Sequence, residues 1–202
     1  MYAKLKVTIS KALLKSITGE REKVLLELVN YIKKKRASGE KPLLNFICTH
    51  NSRRSQISQI WAQTAAAYYG IDVACFSGGV EVTAFNERAV ASINRSGFKI
   101  EKEGETNPKY NVFYAQNSNP IIAFSKVFDD PTNPSNPFAA VMTCAHADEN
   151  CPFIPSAEKR IPVRYEDPKF FDDSPEEAEK YDERSLQIAS EMLYVFKNVS
   201  AL

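Results

Sequence analysis

Apolar positions divide the chain into two regimes. Over residues 1–40 they recur with a helical period. Leu5, Ile9, Leu13 and Leu14 form one stripe, and Val24, Leu25, Leu28, Val29 and Ile32 form a second. Gly19 lies near the break, so the spacing predicts two helices. The run Lys33, Lys34, Lys35, Arg36 followed by Gly39 marks the end of the second, where cations suit the helix dipole and glycine stops the helix. From Leu43 onward, short apolar runs alternate with helical stretches. Leu43–Cys48 reads as a buried strand and residues 55–69 as a helix carrying Ile57, Ile60, Trp61 and Ala65, stopped by Gly70. Residues 72–76 read as a second strand before a Gly78-Gly79 turn, and Asn86 as the cap of a helix reaching Ser96, ahead of Gly97. Residues 120–124 and 138–144 are further strands, and 129–137, with three prolines, is a loop. Ser174, Pro175 and Glu177 predict a capped helix start, with the helix running to Asn198. Strands alternating with helices imply an α/β chain with a mostly parallel sheet covered on both faces.

Composition adds bounds. The 202 residues are 44% hydrophobic and 25% charged with a net charge of +1, which suits a globular core and offers no bulk charge for nucleic acid or membrane surfaces. No apolar run approaches a membrane span, and the N-terminal stretch lacks the apolar centre of a secretory signal. A cytoplasmic protein is expected, in which the four cysteines, Cys48, Cys75, Cys144 and Cys151, are not a structural disulfide framework.

Candidate chemistry starts where the first strand ends. The segment "CTHNSRRS", residues 48–55, places a thiol at the carboxyl end of a strand and just before a helix, the edge where open α/β sheets bind ligands. Cys48, Thr49, His50, Asn51, Ser52, Arg53 and Arg54 can wrap as a nest of backbone amides at the positive end of the helix dipole, which binds an oxyanion and lowers a thiol pKa. Arg54 can grip two oxygens of a tetrahedral anion with its planar fork, and Ser55 is placed to donate to the sulfur.

This segment resembles the phosphate-binding loop of the low-molecular-weight tyrosine phosphatases and of the arsenate reductases built on their fold, which typically reads C-T-G-N-S-C-R-S. Cys48, Thr49, Asn51, Ser52, Arg54 and Ser55 match. His50 stands in place of glycine, where a positive φ would strain histidine, and Arg53 in place of a frequent cysteine, adding a second cation at the loop. The resemblance implies a three-layer sandwich with a central parallel sheet, phosphotyrosine-phosphatase I-like, over residues 43–202, with residues 1–42 as an N-terminal helical extension. It covers about 43–198, and the stretch from Ile100 to Phe138 looks expanded.

A second cluster, "CAHADENCP", holds Cys144 and Cys151 with six residues between them. By residue type the two could be zinc ligands with His146, inert thiols, or a redox pair. Thioredoxin-coupled arsenate reductases of the family carry a cysteine pair at this spacing and order, so the resemblance implies the redox pair, with Cys75 left to packing. In "VRYEDPKFF", Asp167 precedes Pro168, where the family places its acid; Asp130, also before a proline, is a rival in sequence. Many family reductases bind potassium through a carboxylate one helical turn beyond the loop. Gln59 occupies that place, so no metal and no cofactor is expected. The implied activity is arsenate reduction by Cys48, Arg54 and Asp167 followed by a Cys144–Cys151 cascade with thioredoxin as reductant. The alternatives are a tyrosine phosphatase acting through phosphocysteine, and a non-enzymatic redox or anion sensor.

Overall fold

The computed structural model describes residues 1–150 and 153–201. The N-terminal stripes become helices α1 (Ala3–Leu13) and α2 (Gly19–Ala37). The strand ending on the thiol is β1 (Leu43–Cys48), followed by α3 (Arg54–Tyr68), β2 (Ala74–Gly79) and α4 (Glu87–Arg95), the last capped by Asn86, whose side chain accepts from the amides of Arg88 and Ala89. Strands β3 (Lys99–Glu103), β4 (Lys109–Phe113) and β5 (Ile121–Ala123) follow. The chain closes with β6 (Phe138–Met142), α5 (Ala145–Asn150), β7 (Ala157–Ile161), a 3-10 turn (Pro168–Phe171) and α6 (Glu177–Ser200).

The central sheet is parallel, in the order β2-β1-β6-β7. Its two faces bury different residues. In β6, Ala139 and Val141 join the large core beneath α1, α2, α3, α4 and α6, whereas Phe138, Ala140 and Met142 meet Ile47, Cys48, Cys144 and Ala147 on the opposite side. Helices therefore cover both faces, giving the three-layer α/β sandwich. Among the described residues no helix is long and apolar enough to cross a membrane.

The structure corrects several sequence expectations. The second strand begins at Ala74 rather than 72 and runs through Gly78 and Gly79, which are strand residues rather than a turn. They are glycines because backbone presses on them. A Cβ on Gly78 would lie 2.3 Å from Phe128 Cα, and one on Gly79 would lie 2.7 Å from Asn51 N and 2.8 Å from Thr49 O. Residues 121–123 do form a strand, but antiparallel, in a separate sheet β3-β4-β5 that fills the stretch expected to be expanded. β7 was not predicted: its sequence, AEKRI, is polar because it is an edge strand. Helix α6 starts at Glu177, with the Glu177 carboxylate accepting from the Asp173 amide and Ser174 Oγ from the Glu176 amide, so the capping exchange is shifted from the predicted pairing.

Candidate active site

Cys48 closes β1 with its side chain buried (4% exposed). The residues behind it hold their carbonyls outward. The Thr49 carbonyl accepts from the amides of Val80 and Glu81, and that of His50 from Ser125 Oγ. The Asn51 carbonyl accepts from Gln56 Nε2, and that of Ser52 from the Asn86 amide. None of the amides of residues 49–53 finds a protein acceptor among the described residues. Amides without protein acceptors, gathered at the N-terminus of α3, have the arrangement expected of an anion-binding nest.

Asn51 fixes the loop from inside. It is fully buried and has φ 46°, a left-handed conformation asparagine tolerates well. The loop residue with positive φ is thus Asn51, and His50, in the family's glycine place, is spared that strain. Asn51 Oδ1 accepts from the Lys126 amide and Gln56 Nε2, which orients its Nδ2 to donate to Ser55 Oγ at 2.8 Å. With its lone pair so engaged, the Ser55 hydroxyl proton is free for Cys48 Sγ, 3.1 Å away. The His50 ring is half exposed, with Nε2 3.3 Å from Glu81 Oε2.

The two arginines part company. Arg54 donates to the Tyr165 carbonyl (3.0 Å) and to Asp167 Oδ2 (2.6 Å), so it joins the expected acid loop to the expected anion loop. The Arg53 side chain, expected to add a cation at the anion, is committed elsewhere: it donates to Tyr181 Oη (2.7 Å) and Asp172 (3.1 Å). Tyr181 is fully buried and donates in turn to Asp172. Arg53 therefore locks the segment after Asp167 against α6. Asp167 caps the 3-10 turn, accepting from the Lys169 amide. Its rival Asp130 is taken up by a turn, accepting from Thr132 N and Oγ1. A cavity of about 620 Å³ opens beside Arg54 and Asp167, with Arg21, Arg164, Arg184 and Phe170 on its walls.

Cys144 lies at the end of β6, buried and free, with Sγ 3.5 Å from Thr49 Oγ1 and accepting from the Ala147 amide. His146 Nδ1 is 3.3 Å from the same hydroxyl. Cys144 and Cys48 share one buried cluster. α5 then carries Asp148, gripped by Arg160 (2.7 Å) and Arg164 (2.5 Å); burial opposes its ionisation, but those two guanidinium groups hold its pKa below the ordinary aspartate range. Cys151 lies outside the described residues. Cys75 sits in β2, buried, and burial pushes its thiol well up, as suits a packing residue.

Sequence reasoning missed Gln56, Ser125, Tyr165 and Tyr181. Gln56 carried the one visible signal, an amide next to the matched loop; the others act from distant parts of the chain.

No family model matches the chain. It is 25% identical over 129 residues to arsenate reductase 2 of Staphylococcus epidermidis, covering 64% of this chain and 80% of that protein. It is 27% identical over 128 residues to an arsenate reductase of Staphylococcus aureus, covering 63% and 79%. Its fold matches a low molecular weight phosphotyrosine phosphatase of Vibrio cholerae O395 with a TM-score of 0.52 at 13% identity, covering 76% of this chain and 93% of that one. A low molecular weight protein tyrosine phosphatase of T. tengcongensis matches with a TM-score of 0.50 at 14% identity, covering 79% and 97%.

Proposed function

We propose that this chain, a member of the family of arsenate reductases built on the low-molecular-weight phosphatase fold, reduces arsenate to arsenite through Cys48, Cys144 and Cys151. Arsenate enters the nest of amides 49–53, and Arg54 exchanges the Asp167 carboxylate for two arsenate oxygens. The Cys48 thiolate, held by Ser55, attacks arsenic, and Asp167 protonates the departing hydroxide to water. The Cys144 thiolate then attacks the Cys48 sulfur. A Cys48–Cys144 disulfide forms, and the electron pair of the sulfur–arsenic bond leaves on arsenic as arsenite. Cys151 attacks Cys144, releases the Cys48 thiolate and leaves a Cys144–Cys151 disulfide for an external dithiol such as thioredoxin to reduce.

The observation that carries this reading is the second thiol beside the first loop: Cys144 Sγ stands 3.5 Å from Thr49 Oγ1, at the rim of the nest. A hydrolase needs no such neighbour. The phosphatase reading uses Cys48, Arg54 and Asp167 alone, and the Arg54–Asp167 pair suits it equally. Arsenite release by the purified protein, with and without a thioredoxin system, separates the two. Repeated turnover is expected only with the dithiol. Brisk aryl phosphate hydrolysis with no arsenite under either condition would favour the phosphatase. Cys151→Ser should leave aryl phosphate hydrolysis intact and abolish repeated arsenate turnover.

A further inference from the structure

We propose that the cavity of about 640 Å³ between the free edge of β2 and the antiparallel sheet is a binding site for a small organic anion, a carboxylate or phosphate ester with an apolar body, held by Lys126 and Lys109. This rests on residues the arsenate chemistry does not use, and it stands independently of that reading.

The first observation is Lys126. The residue is only 4% exposed, yet it lines this cavity. Among the described residues no carboxylate comes within ion-pair distance of its ammonium. Its Nζ lies over the Phe124 ring, 4.4 Å from the centroid. Asp130 acts on both Lys126 and Lys109 from beyond ion-pair distance, its Oδ1 accepting from Thr132 N and Oγ1. A buried cation costs free energy unless an anion meets it. Burial holds Lys126 down at about 8, so at neutral pH it remains mostly a cation, with the Asp130 carboxylate beyond ion-pair distance.

The second observation is Lys109, on β4. It too forms no ion pair among the described residues, and its Nζ lies 5.4 Å from the centroid of the same ring. Two cations thus share one aromatic face-partner at one cavity wall. The other walls supply Phe76, Ile121 and Ile122 for an apolar body, Asn111 and Gln63 for hydrogen bonds, and one carboxylate, Glu103. A few convergent polar groups in an apolar concavity are the usual make-up of a small-molecule site.

Two lining residues, Phe124 and Lys126, belong to a segment that packs against the nest. Within residues 124–126, the Phe124 carbonyl accepts from Gln56 (2.7 Å), Ser125 Oγ donates to the His50 carbonyl (2.9 Å), and the Lys126 amide donates to Asn51 Oδ1 (3.0 Å). The site is nonetheless separate from Arg54, which lines a different cavity.

Amide NMR titration of the full chain with benzoate and with phenylphosphonate tests the assignment. At millimolar concentration at least one probe should shift the amides of Ile121, Ile122 and Lys126. Lys126→Met should weaken that probe about tenfold, the loss of one charge-assisted contact. Lys109→Met, on the rim and harmless to folding, should weaken it in the same direction. Arg54→Gln should leave it unchanged. Whichever probe binds tighter identifies the head group. Binding that survives Lys126→Met and is lost in Arg54→Gln would place the anion in the nest and overturn the proposal, as would failure of both probes to shift these amides.

Discussion

At the scale of single residues, the site depends on which groups are already committed. Arg54 is held at the mouth by Asp167 and the Tyr165 carbonyl, partners that the proposed mechanism trades for an oxyanion. Arg54→Lys should therefore lower turnover roughly a hundredfold, because a point charge replaces a planar fork aimed at developing charge; steady-state arsenate kinetics measure it. Asn51 is a finer case. Asn51→Gly keeps the left-handed backbone but removes the bonds to Ser55, Lys126 and Gln56. The protein should fold, with arsenate turnover lowered in steady-state kinetics, since Ser55 would no longer be oriented toward the sulfur. Cys48, Arg54 and Ser55 were legible in the sequence because they belong to one contiguous loop. Gln56's role, Ser125 and Tyr181 were not, because each has a deciding partner far off in the chain: Phe124 is 68 residues from Gln56, His50 is 75 from Ser125 and Arg53 is 128 from Tyr181. His50 illustrates the same limit: only the fold shows that Asn51 takes the positive φ.

At the scale of elements, the proposed cascade requires α5 to move. Its six helical residues rise about 9 Å along the axis, so a disulfide that closes across the segment requires the helix to unwind. Asp148 pins it to β7 and to Arg164. Asp148→Asn should cost about 2 kcal/mol, the loss of charge-assisted bonds at a mostly buried carboxylate, and should speed Cys144–Cys151 bond formation, followed by stopped-flow single turnover. The pH dependence has a definite sign. The depressed pKa of Asp148 contributes stability that is fully present above the ordinary aspartate value of about 3.9 and is lost as the pH falls through the lower folded value. Loosening of α5 should thus appear in acid, not near neutrality. The parallel strands β1 and β6 were legible as continuous apolar runs. β2 was misplaced because its glycines were read as turn residues, when in fact close backbone packing selects them.

At the scale of the whole molecule, the two N-terminal helices share a core with the rest. Leu5, Ile9, Leu25, Leu28 and Ile32 are buried in one cluster with α6. Gly97 lies so close to α1 that a Cβ would come 2.4 Å from Leu5 N. Arg21 of α2 makes a two-pronged pair with Glu191 (2.9 and 2.6 Å) and lies 4.7 Å from the centroid of the Tyr165 ring, which links α2 to the segment bearing Asp167. Glu191 is only 3% exposed, so Arg21→Ala leaves a buried carboxylate without its cation, holding only the Gln187 amide, and should cost about 3 kcal/mol, read from urea unfolding. The helices themselves were legible from their stripes, whereas their docking was not, because periodicity marks an apolar face without naming its partner. The central claim concerns three thiols acting in sequence. Its most direct test is mass spectrometry of the reduced enzyme after one equivalent of arsenate, with no reductant present. The cascade requires the loss of two hydrogens, mapped to a Cys144–Cys151 disulfide, with Cys48 returned to its free thiol. All cysteines remaining reduced, while the same preparation hydrolyses an aryl phosphate, would contradict it.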